Sequence, residues 1–255
     1  MSSTAAALNA DFDWDKFNSK SYQEHNYQDL RSDDLEILEI VRDHFASHAF
    51  PRATLKGIDV GAGPNLYPTL SMLPFCSSLL LYEYSASNVK YLESQVRDLD
   101  PSWDKFWRVL EKRTEYNGVE PRRRLAEIGT VRQGNIFELP RRQWDIGTMF
   151  FVAESLTPEM DEFDHAVACF ARSLVDGAPF AAAFMKDSAG YYVDDRWFPA
   201  VAINASHVSQ CLKGIARDVE IQEVTFNTNN PLRDGYGGML IATGFAVAAG
   251  DEAEK

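Results

Sequence analysis

The sequence predicts an α/β domain built on a mainly parallel seven-stranded sheet with helices on both faces. Two observations predict this fold class. Short apolar runs alternate with segments of helical spacing through most of the chain, which is typical of parallel strands joined by crossover helices. The last two apolar runs have no helical segment between them, so we expect the last strand to be antiparallel.

The individual elements follow from the apolar pattern in chain order. Residues 55–60 form a short apolar run that stops at Gly61, as a buried parallel strand does. Apolar residues recur at helical spacing from Phe163 to Leu174, and Gly177 ends that helix. Further strands are predicted at 79–84, 130–133, 145–152, 178–185, 219–226 and 239–247, and helices at 65–73, 85–99, 161–175 and 206–215.

The chain divides into one main domain and flanking segments. Residues 1–12 are small and polar and are expected to be a disordered tail. Residues 13–50 carry one or two helices, 51–247 form the domain, and 248–255 are an acidic tail. Within the domain, residues 100–128 are charged and irregular, so we expect an insertion with a short helix.

Composition excludes several classes of function. The formal net charge of −13 repels a phosphate backbone, so no nucleic acid partner is expected. Cys76, Cys169 and Cys211 are widely spaced and lack metal-ligand spacing, so neither a disulfide nor a metal site is expected. The sequence shows no signal peptide and no apolar run long enough to span a membrane. We expect a cytoplasmic protein, a monomer, with a small-molecule partner.

The most informative stretch is GIDVGAGPNLY at residues 57–67. A strand that leads into Gly61 and Gly63 lets the backbone turn tightly and approach a ligand without a Cβ in the way. The third glycine of a dinucleotide-binding loop would fall at Leu66, and Pro64 removes an N–H that a pyrophosphate would need. The loop therefore favours a nucleoside without phosphate, although glycines that only close a strand–helix turn are the structural alternative.

An acidic residue closes the next predicted strand. Glu83 lies 22 residues beyond Gly61, where a carboxylate can accept hydrogen bonds from both hydroxyls of a ribose. Tyr84 offers a flat face for adenine. A solvated acid at a strand end is the alternative for Glu83 alone. Together the two motifs predict a nucleoside with an amino-acid tail and no phosphate, which is S-adenosylmethionine (SAM).

The motifs GIDVGAGPNLYPTL and YEYSASNVKYLE resemble class I SAM-dependent methyltransferases, and in particular the branch of nicotinamide, phenylethanolamine, indolethylamine and thioether methyltransferases. That branch shows D-[IV]-G-[SA]-G-P-x-x-Y and then [DE]-Y-[ST]-x-x-N. The segment YQEHNY at 22–27 matches its Tyr-x-x-x-x-Tyr lid element, and KDSAGYY at 186–192 is similar to its region after the fifth strand. The resemblance covers about residues 12–247 and implies a Rossmann-like fold with a helical lid over 13–50.

The resemblance implies a set of cofactor contacts. These are Gly61, Gly63, Pro64 and Tyr67 in the loop beside the methionine portion, Tyr22 and Tyr27 over its carboxylate, Glu83 and Asn88 on the ribose, Tyr84, Asn135 and Ile136 around the adenine, and Phe151 in the wall. Asn135 stands where the family more often has aspartate, so its contact with the adenine amino group would lack charge assistance. Phe151 replaces a smaller or polar residue and indicates a more apolar pocket.

Methyl transfer from a sulfonium is a single in-line displacement, in which the acceptor atom needs a free lone pair and correct alignment. We expect a small-molecule acceptor, with the nitrogen of an aromatic or heteroaromatic amine favoured. An amine would use a carboxylate as its electrostatic partner, and Glu154 and Asp187 follow the fourth and fifth predicted strands. The resemblance places family acids near both, and Tyr22 is the third catalytic candidate. A helix-capping Glu154 and a loop acid at Asp187 are the structural alternatives.

Aromatic residues after the fifth strand are candidates for the acceptor pocket. Tyr191, Tyr192 and Trp197 could stack on an aromatic acceptor, with core packing as the alternative, and His25 lies between the two lid tyrosines. Several hypotheses compete with nitrogen methylation. They are methylation of oxygen, sulfur or carbon, methylation of a protein substrate, an NAD-dependent oxidoreductase, and a nucleoside-binding protein without turnover.

Overall fold

In the computed structural model, which describes residues 8–49, 52–224 and 237–247, strands and helices alternate along the chain. The strands are β1 (Leu55–Val60), β2 (Cys76–Glu83), β3 (Gly129–Gln133), β4 (Ile146–Phe150), β5 (Pro179–Lys186), β6 (Tyr191–Val193), β7 (Arg196–Phe198), β8 (Ala216–Val224) and β9 (Gly238–Ala246). The helices are α1 (Ser19–Tyr27), α2 (Ser32–His48), α3 (Tyr67–Met72), α4 (Ala86–Arg97), α5 (Asp104–Leu110), α6 (Pro121–Ile128), α7 (Met160–Ser173) and α8 (Ala205–Leu212).

Seven of these strands form one sheet in the order β3-β2-β1-β4-β5-β9-β8. Neighbours from β3 to β5 pair in parallel, whereas β9 pairs antiparallel with both β5 and β8. The predicted fold class is therefore confirmed, including the antiparallel last strand. The strand order reverses direction between β1 and β4, and open α/β sheets bind ligands outside the carboxyl ends of the strands at such a point.

Two apolar cores cover the two faces of the sheet. Along β5, Phe180, Ala182 and Phe184 belong to the core that includes α7 and α8. Ala181 and Met185 belong to the opposite core, which includes α2, α3 and α5. This alternation is the two-residue period of a strand, and it explains why β5 is apolar at every one of these positions.

The segment expected to form the lid divides into two parts. Helix α2 is a face helix of the domain, because Ile37, Val41 and Phe45 are buried in the core beside α3 and α5. Helix α1 instead lies at the carboxyl edge of the sheet. Residues 8–12, which the sequence places in the disordered tail, form a 3-10 turn at Asn9–Asp11. The Asn9 N–H donates to Glu162 Oε2 at 2.9 Å, a tertiary contact that local sequence does not reveal.

The insertion at 100–128 is also more ordered than the sequence predicts. It contains the two helices α5 and α6, where one short helix was expected. Trp103, Phe106 and Tyr116 are fully buried, and the Tyr116 hydroxyl donates to the Ser71 carbonyl at 2.8 Å. The insertion therefore contributes to the core although its sequence is highly charged.

Some sequence predictions lie outside the described residues. These are residues 1–7 of the predicted tail, the last two residues of the strand predicted at 219–226, and the acidic tail at 248–255. Within the described ranges, none of the helices combines the length and apolar character needed to cross a membrane. The same ranges contain no group of side chains suited to hold a metal ion.

Candidate active site

A cavity lies at the carboxyl edge of the sheet, where β1, β2 and β4 end. It encloses about 840 Å³, counting the part that opens to solvent. The residues assigned to the cofactor that line it are Tyr22, Tyr27, Gly61, Gly63, Pro64, Glu83, Tyr84, Asn88, Asn135, Ile136 and Phe151. The fold thus brings residues from five separate parts of the sequence to one place.

The loop after β1 uses its two glycines differently. Gly61 has a φ of +64°, and a Cβ there would lie 2.5 Å from the side chain of Val152. Gly63 has a φ of +49°, but a Cβ there would meet nothing closer than 3.6 Å. Gly61 therefore permits close packing against the loop after β4, whereas Gly63 leaves an open cradle beside Glu83.

Glu83 is held at the end of β2 by hydrogen bonds to both of its carboxylate oxygens. Oε2 accepts from the Gly63 N–H at 2.9 Å, and Oε1 accepts from the Ser85 N–H at 2.9 Å and from Asn88 Nδ2 at 3.4 Å. Burial raises the pKa of Glu83, and these hydrogen bonds act in the opposite direction. Since a carboxylate has about four lone-pair sites and these three donors use three of them, about one site is left for a further donor.

Asn88 connects this carboxylate to the lid helix. Its Oδ1 accepts a hydrogen bond from Ser19 Oγ at 2.6 Å, and both residues are buried. Ser19 is the first residue of α1, whose start is capped by Asn18 through a 3.2 Å bond from the Ser21 N–H. Two consecutive hydrogen bonds therefore join α1 to the carboxylate of Glu83.

Tyr84, Asn135 and Ile136 all line the cavity, and Tyr84 and Asn135 also border a neighbouring surface groove. Asn135 Oδ1 caps the 3-10 turn at Ile136–Glu138, where it accepts from the backbone N–H two residues further on at 3.1 Å. The Tyr82 hydroxyl donates to the Asn135 carbonyl at 3.1 Å. Asn135 is thereby fixed in place, and its Nδ2 group stays available as a donor.

The lid tyrosines approach the cavity from α1. Tyr22 packs against Phe17 with ring centroids 5.0 Å apart, and Tyr27 is almost fully buried. Tyr67, which was expected beside the cofactor, does not line the cavity. It is fully buried behind Tyr27, at 6.0 Å between ring centroids, and stacks on Phe106 at 5.6 Å with the rings nearly parallel. Tyr67 therefore supports Tyr27 from behind.

Another wall of the cavity is aromatic. Phe150 and Phe151 follow from β4, and Tyr191 of β6 is buried against Phe198 at 5.7 Å between ring centroids. Phe151 has a φ of +60°, a left-handed conformation that is uncommon for a bulky residue. Its N–H donates to the Ala183 carbonyl at 2.7 Å, which helps to hold this conformation.

The two acids expected to face the acceptor are not among the residues that line the cavity. Glu154 is fully buried, and its Oε1 accepts from the Met185 N–H at 2.9 Å and from Ser155 Oγ at 3.2 Å. Asp187 is exposed, and its N–H donates to the Ile203 carbonyl at 2.9 Å. Both acids follow the strands as predicted, but Glu154 is buried in contacts with Met185 and Ser155, Asp187 is exposed, and neither lines the cavity.

Three of the residues predicted for the acceptor pocket also lie elsewhere. His25 is on the exposed side of α1. Tyr192 and Trp197 are cross-strand partners in the β6–β7 hairpin and are 72% and 45% exposed. Tyr191 does line the cavity, because successive side chains of a strand point to opposite faces.

The N-terminal strap, defined as residues 8–17, was not predicted to reach the site, yet it contributes Asn9, Trp14 and Phe17 to the cavity. Two hydrogen bonds fix it to the start of α4, one to the Trp14 carbonyl at 2.8 Å and one to the Asp15 carboxylate at 2.7 Å. The alternation of aromatic residues and acids over residues 12–17 was the available signal. Other lining residues that were not singled out are Val60, Ala62, Asn65, Tyr82, Val152, Ser155 and Leu156.

A family model described as the NNMT/PNMT/TEMT family matches residues 6–243, which include the strap, the lid helix and most of the sheet. The chain belongs to the NNMT/PNMT/TEMT family. The resemblance inferred from the glycine loop and the Glu83 motif is thereby confirmed, and this member of the NNMT/PNMT/TEMT family is a SAM-dependent methyltransferase. No curated protein sequence matches the chain.

Solved methyltransferase structures share the fold of this NNMT/PNMT/TEMT family member at low sequence identity. Magnesium protoporphyrin IX methyltransferase from Synechocystis PCC 6803, with bound SAM, is 14% identical and has a TM-score of 0.58 over 94% of this chain and 99% of that chain. The 1,6-didemethyltoxoflavin-N1-methyltransferase from Burkholderia thailandensis, with bound 1,6-didemethyltoxoflavin and S-adenosylhomocysteine, is 12% identical, with a TM-score of 0.56 over 96% and 93%. The N-methyltransferase NodS from Bradyrhizobium japonicum WM9, with S-adenosylhomocysteine, is 12% identical, with a TM-score of 0.52 over 89% and 96%. At these identities the likeness establishes the fold.

Proposed function

We propose that this chain transfers the methyl group of SAM to a nitrogen atom of a small aromatic or heteroaromatic amine. The observation that carries the proposal is a single cavity with two chemically different parts. One part presents Glu83, Asn88 and Asn135, and the other presents aromatic rings such as Phe151 and Tyr191. The first part suits a nucleoside, and the second suits a flat acceptor.

The residues of the polar part fit SAM. The Gly63 cradle stays open because no Cβ fills it, and the Glu83 carboxylate beside it is buried with about one lone-pair site left. One ribose hydroxyl would donate to that site, and Asn88, which orients the carboxylate by a 3.4 Å bond, would hold the second. Tyr84 and the Asn135 end of the cavity would hold the adenine. When bound, SAM supplies a methyl group on a positively charged sulfur.

The lid tyrosines are assigned to the amino-acid end of SAM. Tyr22 and Tyr27 lie on one helix and both line the cavity, so their hydroxyls can donate to a carboxylate there. Tyr67 holds Tyr27 in place from behind. Since Ser19 at the start of the same helix bonds Asn88, the ribose and carboxylate contacts are built on one connected unit.

The lining of the cavity also favours one type of acceptor atom. Among the described residues that line it, Glu83 is the single carboxylate, and none is a histidine, lysine, arginine or aspartate. An acceptor that must first lose a proton would therefore find no obvious base. An aromatic ring nitrogen with a free lone pair needs none, and the aromatic wall would align its ring with the methyl group. A thioether sulfur has the same property and is the second candidate.

The proposal is tested by measuring release of S-adenosylhomocysteine with a panel of pyridines, aromatic amines, thioethers and phenols. We expect turnover with pyridine-type nitrogen acceptors. The rate should stay constant between pH 6 and 9, because no catalytic base has to lose a proton. Turnover with thioethers alone would favour the second candidate. Turnover with phenols alone would contradict both, because phenols need a base near neutral pH.

A further inference from the structure

We propose that Asn9 is a further cofactor-binding residue, which reaches the adenine base of SAM from the N-terminal strap. This inference rests on the proposed function, because it requires SAM in the cavity. No sequence motif predicts this contact, since Asn9 lies in the segment expected to be disordered.

The backbone of Asn9 is fixed on both sides. Its N–H donates to Glu162 Oε2 at 2.9 Å, and its carbonyl accepts from Trp14 Nε1 at 2.9 Å. The residue is only 6% exposed, yet it lines the cavity. The carboxamide of Asn9 is therefore a polar group that a tertiary scaffold holds at the wall of the cavity.

Both anchors of Asn9 lie at the adenine end. Trp14 borders the cavity and also a neighbouring surface groove, and Tyr84 and Asn135 border both of these as well. Glu162 is in the first turn of α7. That helix packs on the 3-10 turn at Ile136–Glu138, where Phe137 stacks on His165 with ring centroids 5.0 Å apart. Asn9 is thus placed near the end of the cavity that Asn135 occupies.

The chemistry of a carboxamide matches the edge of adenine. Adenine presents an amino donor next to a ring-nitrogen acceptor, and an asparagine side chain can pair with both at once. The adenine amino group carries two hydrogens, and Asn135 Oδ1 already accepts from a backbone N–H at 3.1 Å. Asn135 alone therefore does not satisfy both hydrogens of the adenine amino group, and the amide oxygen of Asn9 would accept the second one.

The experiment measures binding, by calorimetry, of S-adenosylhomocysteine and of the analogue in which oxygen replaces the adenine 6-amino group. The proteins are wild type, Asn9→Ala and the matched control Asn117→Ala, which changes an exposed asparagine outside the cavity. We expect Asn9→Ala to raise the Kd of S-adenosylhomocysteine by about 5- to 30-fold, as for the loss of a buried hydrogen-bonding group. The control should bind like wild type, and the preference for adenine over the 6-oxo base should shrink in Asn9→Ala alone.

An unchanged Kd in Asn9→Ala would overturn the inference, and so would equal weakening of both ligands, because that indicates a general structural role. The comparison of two ligands on one variant stays valid if Asn9→Ala lowers the melting temperature. Failure of the wild-type protein to bind S-adenosylhomocysteine would refute the proposed function itself, which is a different result.

Discussion

Replacement of Glu83 by glutamine perturbs the cofactor end of the site at a defined atom. Each carboxylate oxygen of Glu83 accepts a backbone N–H, from Gly63 and from Ser85, both at 2.9 Å. Glutamine has one oxygen, so its NH₂ group must face one of these two donors. A buried N–H left without its acceptor costs about 1–3 kcal/mol, and the free energy of unfolding should fall by a similar amount without ligand.

The effect on cofactor binding is separate from this loss. The ribose hydroxyl that donates to Glu83 would lose its negatively charged acceptor. A hydrogen bond to a charged group contributes about 1.5–3 kcal/mol, so the Kd of S-adenosylhomocysteine should rise roughly 10- to 150-fold. Because burial raises the pKa of Glu83 and a ribose hydroxyl donates to its ionised form, wild-type affinity should increase as pH rises through that pKa. Glu83→Gln should lack this increase.

The assay combines calorimetric titration with S-adenosylhomocysteine and urea unfolding without ligand. Glu93→Gln is the matched control, since Glu93 is exposed on α4 and should leave both quantities unchanged. Near-wild-type affinity in a folded Glu83→Gln protein would show that Glu83 does not bind the ribose.

The other predictions concern the lid, the turn after β4 and a buried acid. Tyr22→Phe and Tyr27→Phe should each weaken binding of S-adenosylhomocysteine by roughly 0.5–1.5 kcal/mol, and wild-type Kd values in both would contradict the lid assignment. Glu154→Ala should lower the free energy of unfolding by about 1–3 kcal/mol because the Met185 N–H loses its acceptor, whereas Glu154→Gln can keep that bond. Equal losses in urea unfolding would show that this bond is not the cause. Burial is the main cause that raises the pKa of Asp34 to about 8. The folded protein therefore binds the proton of the Asp34 carboxyl more tightly than the unfolded chain does. The free energy of unfolding that this proton binding contributes is lost as pH rises through about 8. Between pH 5 and 8, wild type should lose more stability than Asp34→Asn, by on the order of 1 kcal/mol per pH unit. Parallel pH profiles in urea unfolding would contradict this assignment.

The sheet could be predicted from sequence because buried parallel strands are short apolar runs with breakers at their ends. β1 stops at Gly61 and β5 is apolar at nearly every position, so both stand out. The β6–β7 hairpin does not, because its strands have three residues each and Tyr192 and Trp197 are exposed. Two strands of this length do not produce an alternating apolar pattern that can be recognised in the sequence.

The residues of the candidate site also differ in whether their positions could be predicted from the sequence. The glycine loop and Glu83 could be predicted because backbone geometry fixes where a strand end and its neighbour meet. The burial of Glu154 could not, since it depends on the Met185 N–H, which lies 31 positions away in sequence. Asn9 could not be predicted either, because its order comes from a hydrogen bond to a residue 153 positions away in sequence.

The displaced acids bear on how the proposed reaction is supported electrostatically. Transfer of a methyl cation equivalent to a neutral nitrogen moves one positive charge from sulfur to the acceptor, so the total charge in the cavity is constant. A carboxylate beside the acceptor is therefore not required. Such a carboxylate would instead favour binding of the protonated amine, whose lone pair is not available to accept the methyl group. Aromatic faces stabilise a cation by about 0.5–2 kcal/mol without attracting a proton. A wall that includes Phe151 and Tyr191 can thus hold the flat neutral acceptor and also stabilise the charge that develops on it.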